Sequence, residues 1–209
     1  MVVRVIRPLL LLAALGVLLT GCEDPAHLEG SARPTVVATT TQAADLVRNV
    51  AGDRVVVRGV LAPNSDPHDY EVRPEDVKAL SRADLVVRSG GEVDEWLDGA
   101  IDSAGADAPV VGLLDAVAPG SEDPHWWQDP RLALLAVEAI RAGLVRADPA
   151  GERAYAAGAG AYTERLRALD AVIARCLRAI PAAERVVGCL LYTSPSPRDR
   201  TRSRMPSSA

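Results

Sequence analysis

An α/β fold is predicted by three features of this 209-residue sequence. Short valine-rich runs alternate with segments in which apolar residues recur at helical spacing, and this alternation is typical of a parallel sheet. From residue 130 the pattern is wholly helical, and no proline interrupts residues 150–180. About thirty helical residues extend roughly 45 Å, which is longer than a small domain is wide. We therefore expect an N-terminal lobe with a four-stranded parallel sheet flanked by helices, followed by one long helix.

Each element of the predicted lobe, residues 35–148, has its own signal. The four strands are short apolar runs, predicted over residues 35–39, 54–61, 84–87 and 109–113. The helices are predicted over residues 42–51, from residue 73 onward, over 92–104 and over 130–147. The second of these helices opens with Arg73-Pro74-Glu75-Asp76, in which proline suits the first turn and the acids suit the positive end of the helix dipole.

The first 34 residues predict export and attachment to a membrane. Residues 1–21 combine a basic start with an apolar run that is too short for an ordinary membrane-spanning helix, as in a secretory signal peptide. Leu19-Thr20-Gly21-Cys22 resembles a bacterial lipobox, so Cys22 is the predicted lipidation site. The alternative is an ordinary signal peptide followed by a free cysteine. Residues 22–34 are polar, with glycine and proline, and predict a flexible tether.

The composition of the chain changes at Cys189. Residues 189–209 hold four arginines, three prolines and five serines, and they resemble the translation of a sequencing-library adapter. We expect this tail to be non-native and disordered; the alternative is a genuine disordered basic tail. Residues 182–188 then mark the start of a second lobe that is otherwise missing. Removing the tail's four arginines and one aspartate changes the formal net charge from −5 to −8, and an acidic exported domain argues against nucleic acid as a partner.

Two of the three histidines stand in the same triplet, Asp66-Pro67-His68 and Asp123-Pro124-His125, while His27 lies in the tether. Proline fixes its own φ and lacks a backbone donor, which helps to aim the following side chain from a loop. Neutral imidazole is the commonest protein ligand for metals and suits zinc or manganese. His68 and His125 are therefore the predicted metal ligands. The alternative for each is a loop histidine that makes only a structural hydrogen bond.

Four neighbouring residues could support these histidines. Asp69 and Glu71 could hold the His68 ring by hydrogen bonds, although solvated surface acids look the same in a sequence. Trp126 and Trp127 directly follow His125, and they fit the wall of a cleft better than contact with an organic ligand.

The lipobox, the two histidine motifs with the residues that follow them, and the strand Ala83-Asp84-Leu85-Val86-Val87 together resemble the zinc/manganese ABC-transporter solute-binding lipoproteins. The resemblance covers essentially all of residues 35–187. It implies two α/β lobes with the metal between them, joined by a long rigid interlobe helix at residues 149–181. It also implies His68 and His125 as the first two ligands.

The resemblance further implies a third ligand, commonly histidine, after a strand that begins at residues 185–187, and often a carboxylate from the second lobe. The sequence departs from the family pattern at this place, because no histidine or acid of the right context follows Val187. The choice between zinc and manganese therefore stays open.

The predicted function is that of a non-enzymatic receptor that captures Zn²⁺ or Mn²⁺ and delivers it to the permease of an ABC importer. Lipid on Cys22 would hold it at the outer face of the bacterial cytoplasmic membrane or in the periplasm, close to its transporter. One alternative is a secreted zinc-dependent hydrolase, although the usual His-Glu-x-x-His helix is missing. Another is a receptor for a siderophore, haem or cobalamin, which would favour an aromatic or arginine-rich cleft; the chain has three tryptophans, four tyrosines and no phenylalanine.

Overall fold

The computed structural model describes residues 33–181 and residue 184. The predicted signal peptide, Cys22, most of the tether, most of residues 182–188 and the whole tail 189–209 lie outside the described residues. Among residues 33–181, no helix is both long enough and apolar enough to cross a membrane.

Four parallel strands form one sheet, as the sequence predicted. They are β1 (Thr35–Ala38), β2 (Val56–Gly59), β3 (Leu85–Arg88) and β4 (Val110–Gly112), in the spatial order β2-β1-β3-β4. In register, Val36 lies opposite Val57 on one side and Leu85 on the other. Because the chain moves from β1 outward to β2 and then returns to the other side of β1, the direction of winding reverses between β1 and β3.

Within residues 33–181, six α-helices lie on the sheet or on the helices that cover it. They are α1 (Thr41–Ala51), α2 (Pro74–Leu80), α3 (Leu97–Ala104), α4 (Leu113–Val117), α5 (Pro130–Ala147) and α6 (Glu152–Arg178). Residues that alternate along the strands point to opposite faces. On one face, Val36 and Leu85 share a core with α1 and α5, and the first half of α6 packs on those two helices. On the other face, Val37 and Val86 share a core with α2 and α3. The central strands are therefore buried on both faces, which explains their continuous valine and leucine runs.

The structure corrects three predicted boundaries. The helix expected over 92–104 is a 3₁₀ turn at Gly91–Asp94 followed by α3, because Gly90 and Gly91 have φ values of 94° and 71°. The strand expected over 109–113 ends at Gly112, and Leu113 begins the unpredicted helix α4, whose two leucines are buried. The strand expected over 54–61 begins at Val56, because residues 52–54 form a 3₁₀ turn.

The long helix is present, preceded by a 3₁₀ turn at Pro149–Gly151. Its 27 residues correspond to about 40 Å. Its first half packs on α1 and α5 and buries Tyr155, Ala159 and Leu166. A Cβ on Gly158 would lie 2.2 Å from the carbonyl oxygen of Val50, so α6 crosses α1 too closely for any larger residue. The second half is exposed and carries apolar residues on its surface: Leu169, Val172 and Leu177.

A partly buried ion pair with its tyrosine partner, which we call the clamp, fastens the start of α6 to the lobe. The Arg54 guanidinium donates to both carboxylate oxygens of Asp148, at 2.7 and 3.2 Å, and the Tyr155 hydroxyl donates to Asp148 Oδ2 at 2.7 Å. The hydrogen bonds from Arg54 and Tyr155 lower the pKa of Asp148. Burial, followed by the bond to Asp148, raises the pKa of Tyr155 to about 12. The clamp lies at the amino edge of the sheet, since Arg54 lies two residues before β2.

Candidate metal centre

The two predicted ligands lie together at the carboxyl edge of the sheet. His68 is on the loop between β2 and α2, and His125 is on the segment between α4 and α5. Their ring centroids are 6.3 Å apart and their planes are inclined by 45°. The two side chains are 41% and 42% exposed. This edge, at the point where the winding of a parallel sheet reverses, is where α/β proteins usually bind their ligands.

The His125 motif is held by its own aspartate. Asp123 Oδ1 accepts a hydrogen bond from the backbone N–H of His125 at 3.0 Å and lies 2.8 Å from His125 Nδ1. The hydrogen bond from the backbone amide, followed by the contact with the ring, lowers the pKa of Asp123. A carboxylate at Nδ1 orients the imidazole and leaves Nε2 as the free donor atom.

The two tryptophans after His125 have different surroundings. Trp126 is buried, and its indole N–H donates to the Ser89 carbonyl oxygen at 3.1 Å. Trp127 is half-buried, and its ring centroid lies 5.3 Å from that of His125 in an edge-on arrangement. Trp126 therefore ties the motif to the end of β3, while Trp127 packs beside the imidazole. Their predicted place in the wall of a metal-binding cleft stays a prediction.

The His68 motif is anchored differently. Asp66 Oδ1 accepts only from the backbone N–H of His68, at 3.0 Å. Tyr70, two residues after His68, donates its hydroxyl hydrogen to Asp76 Oδ2 at 2.6 Å. The backbone amide of Arg73 donates to the same oxygen at 2.9 Å. Burial, followed by the bond to Asp76, raises the pKa of Tyr70 to about 12. This anchor joins the loop to the start of α2.

The carboxylate that lies beside His68 is Glu92, which sequence reasoning missed. Glu92 Oε1 is 3.5 Å from His68 Nδ1. Asp69 and Glu71 are exposed, and within residues 33–181 neither forms a hydrogen bond or an ion pair with His68. Their proposed supporting role therefore stays a prediction. Its position in the sequence could have indicated this, because Glu92 follows Gly90-Gly91 just after the carboxyl end of β3, where ligands usually bind.

The arrangement can supply two imidazole donors to one metal ion. With Zn–N bonds of about 2.0–2.1 Å, two imidazoles on one tetrahedral ion have ring centroids about 5 Å apart. The observed separation of 6.3 Å is slightly wider, and the two side chains are 41% and 42% exposed. Within the described part of the chain, no group of three or more histidines, cysteines or acids is arranged to hold a metal. Two protein donors leave at least two positions of a tetrahedral ion for other ligands.

Comparison with known proteins gives the same family as the sequence motifs. The family model described as ZnuA, zinc-uptake complex component A periplasmic, matches residues 36–189. The iron-binding protein YfeA of Yersinia pestis is 35% identical over 159 residues, which are 72% of this chain and 51% of that protein. The metal ABC transporter substrate-binding lipoprotein ScbA of Streptococcus cristatus is 31% identical over 207 residues, covering 89% of this chain and 66% of that protein. The chain thus spans between half and two thirds of the length of these relatives.

Solved structures of metal-binding proteins have a similar fold. The periplasmic zinc binding protein TroA from Treponema pallidum superposes with a TM-score of 0.66 at 28% identity, covering 72% of this chain and 57% of that one. The Zn(II)-bound ZnuA-like domain of AdcA from Streptococcus pneumoniae gives a TM-score of 0.60 at 27% identity, with coverage of 66% and 53%. The family model covers most of the chain, and the chain belongs to the ZnuA family of periplasmic zinc-uptake components.

Proposed function

We propose that the chain is the extracytoplasmic substrate-binding part of an ABC importer, that it has no enzymatic role, and that its cargo is Zn²⁺ or Mn²⁺. The observation that carries the proposal is the pair of half-exposed imidazoles, His68 and His125, facing each other across 6.3 Å at the carboxyl edge of the sheet. Relatives named as manganese ABC transporter substrate-binding lipoproteins support the importer over a hydrolase or a siderophore receptor.

The choice of metal stays between zinc and manganese. Imidazole is a ligand for both ions, and a given nitrogen site binds Zn²⁺ more tightly than Mn²⁺. Related proteins are named as binding or transporting manganese, zinc or iron. We propose that the donors that complete the coordination sphere belong to a second lobe, which begins at residues 182–188 and corresponds to the part of the longer relatives that this chain does not span.

Partners and location follow from the same proposal. We expect the protein to deliver its metal to a membrane permease, and we expect lipid on Cys22 to hold it at the outer face of the membrane. A Cys22→Ser variant that remained in the membrane fraction after signal processing would contradict the lipid anchor.

We also propose that residues 189–209 are not encoded by the native gene. The family match ends at residue 189, which is where the composition of the chain changes. Sequencing the locus with a different library chemistry tests this. Recovery of the same tail followed by a stop codon would contradict it.

Metal titration tests the binding function directly. The purified protein is titrated with Zn²⁺ and Mn²⁺ in competition with a chelating dye. We expect His68→Ala and His125→Ala each to lower the affinity by at least the roughly 10–100-fold known for residues that only orient a ligand. His27→Ala, the third histidine of the chain, is the matched control and should bind as the parent does. If either site variant kept the parental affinity, that histidine would not be a ligand.

A further inference from the structure

The loop after β3, residues 89–94, lies beneath both histidine motifs and contacts each of them. On one side, the Ser89 carbonyl oxygen accepts the Trp126 indole N–H at 3.1 Å. On the same side, Gly91 lies so close to Pro124 that a Cβ on it would be 2.9 Å from the Pro124 Cβ. On the other side, Glu92 lies 3.5 Å from His68. The position of this loop therefore affects where both imidazoles stand. We call it the β3 loop.

The β3 loop has a backbone shape that requires support. Gly90 and Gly91 both have positive φ, and a Cβ on Gly90 would lie 2.6 Å from the Leu114 Cβ. Larger residues therefore fit neither position without strain. Because glycine adopts many conformations with little preference, other interactions must hold these two residues in the observed one.

A buried carboxylate holds the loop. The Asp94 side chain is fully buried. It accepts hydrogen bonds from the Gly90 amide at 3.1 and 3.2 Å and from the Thr39 hydroxyl at 2.7 Å, and the Arg88 guanidinium lies 3.4 Å away. Thr39, at the end of β1, in turn accepts from the Ser89 amide at 3.0 Å. A charge removed from water is tolerated only with such partners, so this network fixes the loop to the switch point of the sheet.

We propose that Asp94 and Thr39 are positioning residues for the metal site, and that they set the separation of His68 and His125 through the β3 loop. Neither residue contacts an imidazole in the structure, so their effect on metal binding is indirect. The inference rests on the proposed function, because it concerns the two histidines as ligands. Residues that orient ligands in this way commonly change metal affinity by about 10–100-fold.

Two sets of variants test the proposal in the purified protein. Asp94→Asn keeps the shape of the side chain but removes its charge and one acceptor. Thr39→Val removes the hydroxyl at nearly constant volume, and Thr39→Ser keeps the hydroxyl. The readouts are Zn²⁺ affinity by dye competition and the visible spectrum of the Co²⁺-loaded protein, which reports the geometry around the ion. We expect Asp94→Asn and Thr39→Val to lower Zn²⁺ affinity about 10–100-fold and to change the Co²⁺ spectrum, while Thr39→Ser retains both.

A control separates positioning from a general loss of stability. Tyr155→Phe breaks a hydrogen bond of the clamp at the opposite edge of the sheet, and it should lower the melting temperature without changing the metal affinity or the spectrum. If Asp94→Asn does not fold, the Thr39→Val and Thr39→Ser pair decides. Parental affinity and spectrum in folded Asp94→Asn and Thr39→Val would overturn the proposal, and so would an equal loss of affinity in Tyr155→Phe. Absence of Zn²⁺ and Co²⁺ binding by the parent would instead overturn the proposed function.

Discussion

The polar side chains at the two edges of the sheet differ in how far they are bonded to one another. At the amino edge, the clamp of Arg54, Asp148 and Tyr155 joins its groups by three hydrogen bonds of 2.7 to 3.2 Å. At the carboxyl edge, His68 and His125 stand half-exposed with ring atoms available to an ion. Shifted pKa values are often used to locate functional sites. In this molecule the shifts at the amino edge arise from bonds that brace the start of the long helix. The pKa values of Asp123, beside His125, and of Tyr70 are also shifted at the carboxyl edge. A shifted pKa therefore does not distinguish the two edges, whereas the exposed imidazoles of the proposed metal site do.

The first way to test this contrast is to remove the clamp's aromatic ring. Tyr155 is fully buried, and Tyr155→Ala should lower the free energy of unfolding by about 3–5 kcal/mol. Tyr162 is half-buried and lies about two helical turns later. Tyr162→Ala should lower the free energy of unfolding clearly less. Denaturant unfolding measures both. An equally small effect of the two variants would show that the clamp does not brace the molecule.

A second test compares the two Asp-Pro-His motifs within the carboxyl edge. Asp123 holds both the backbone and the ring of His125, whereas Asp66 holds only the backbone of His68. We expect Asp123→Asn to weaken Zn²⁺ binding about 10–100-fold, or about 1.4–2.8 kcal/mol, and Asp66→Asn to weaken it less. The measurement is chelator competition on the two variants in parallel. Equal losses would mean that the ring contact of Asp123 contributes nothing beyond the turn.

A third and smaller effect concerns pH. The clamp lowers the pKa of Asp148 below that of the unfolded chain, so its contribution to stability is present above the unfolded pKa, near 4, and is lost as pH falls through the folded pKa. Asp148→Asn should therefore lower stability at pH 7 and make it less dependent on pH below about 4. Thermal unfolding from pH 7 to pH 3 measures this. If the stability of parent and variant fell equally as pH was lowered, Asp148 would not be the group responsible for this pH dependence.

Much of the fold could be predicted because its signals are local. The four strands are apolar runs, and the long helix has no proline between its ends. Helix α4 was missed because residues 110–114, Val-Val-Gly-Leu-Leu, contain no polar side chain that marks the change from strand to helix. The bend at Gly90-Gly91 was also missed, since a pair of glycines permits many shapes and the contact with Pro124 that selects one is tertiary.

The site was predictable only in part for the same reason. The repeated Asp-Pro-His triplet marked both histidines, and the family resemblance placed them in one site. The contacts that support them connect residues far apart in sequence: Thr39 bonds Asp94 across 55 positions, and Trp126 bonds Ser89 across 37. Glu92 comes beside His68 only because β2 and β3 end at the same edge of the sheet. No pattern of neighbouring residues carries such information.

The long helix has a consequence for the time scale on which its amide protons exchange with solvent. Leu166 is the last fully buried residue of α6, and the turns that follow expose Leu169, Val172 and Leu177 to water. A helix of about 12–15 residues is marginal in water without packing. Amides before Leu166 should exchange only when the whole lobe opens, whereas those after it should exchange through local fraying. Along one uninterrupted helix, protection should therefore fall steeply within about two turns after Leu166.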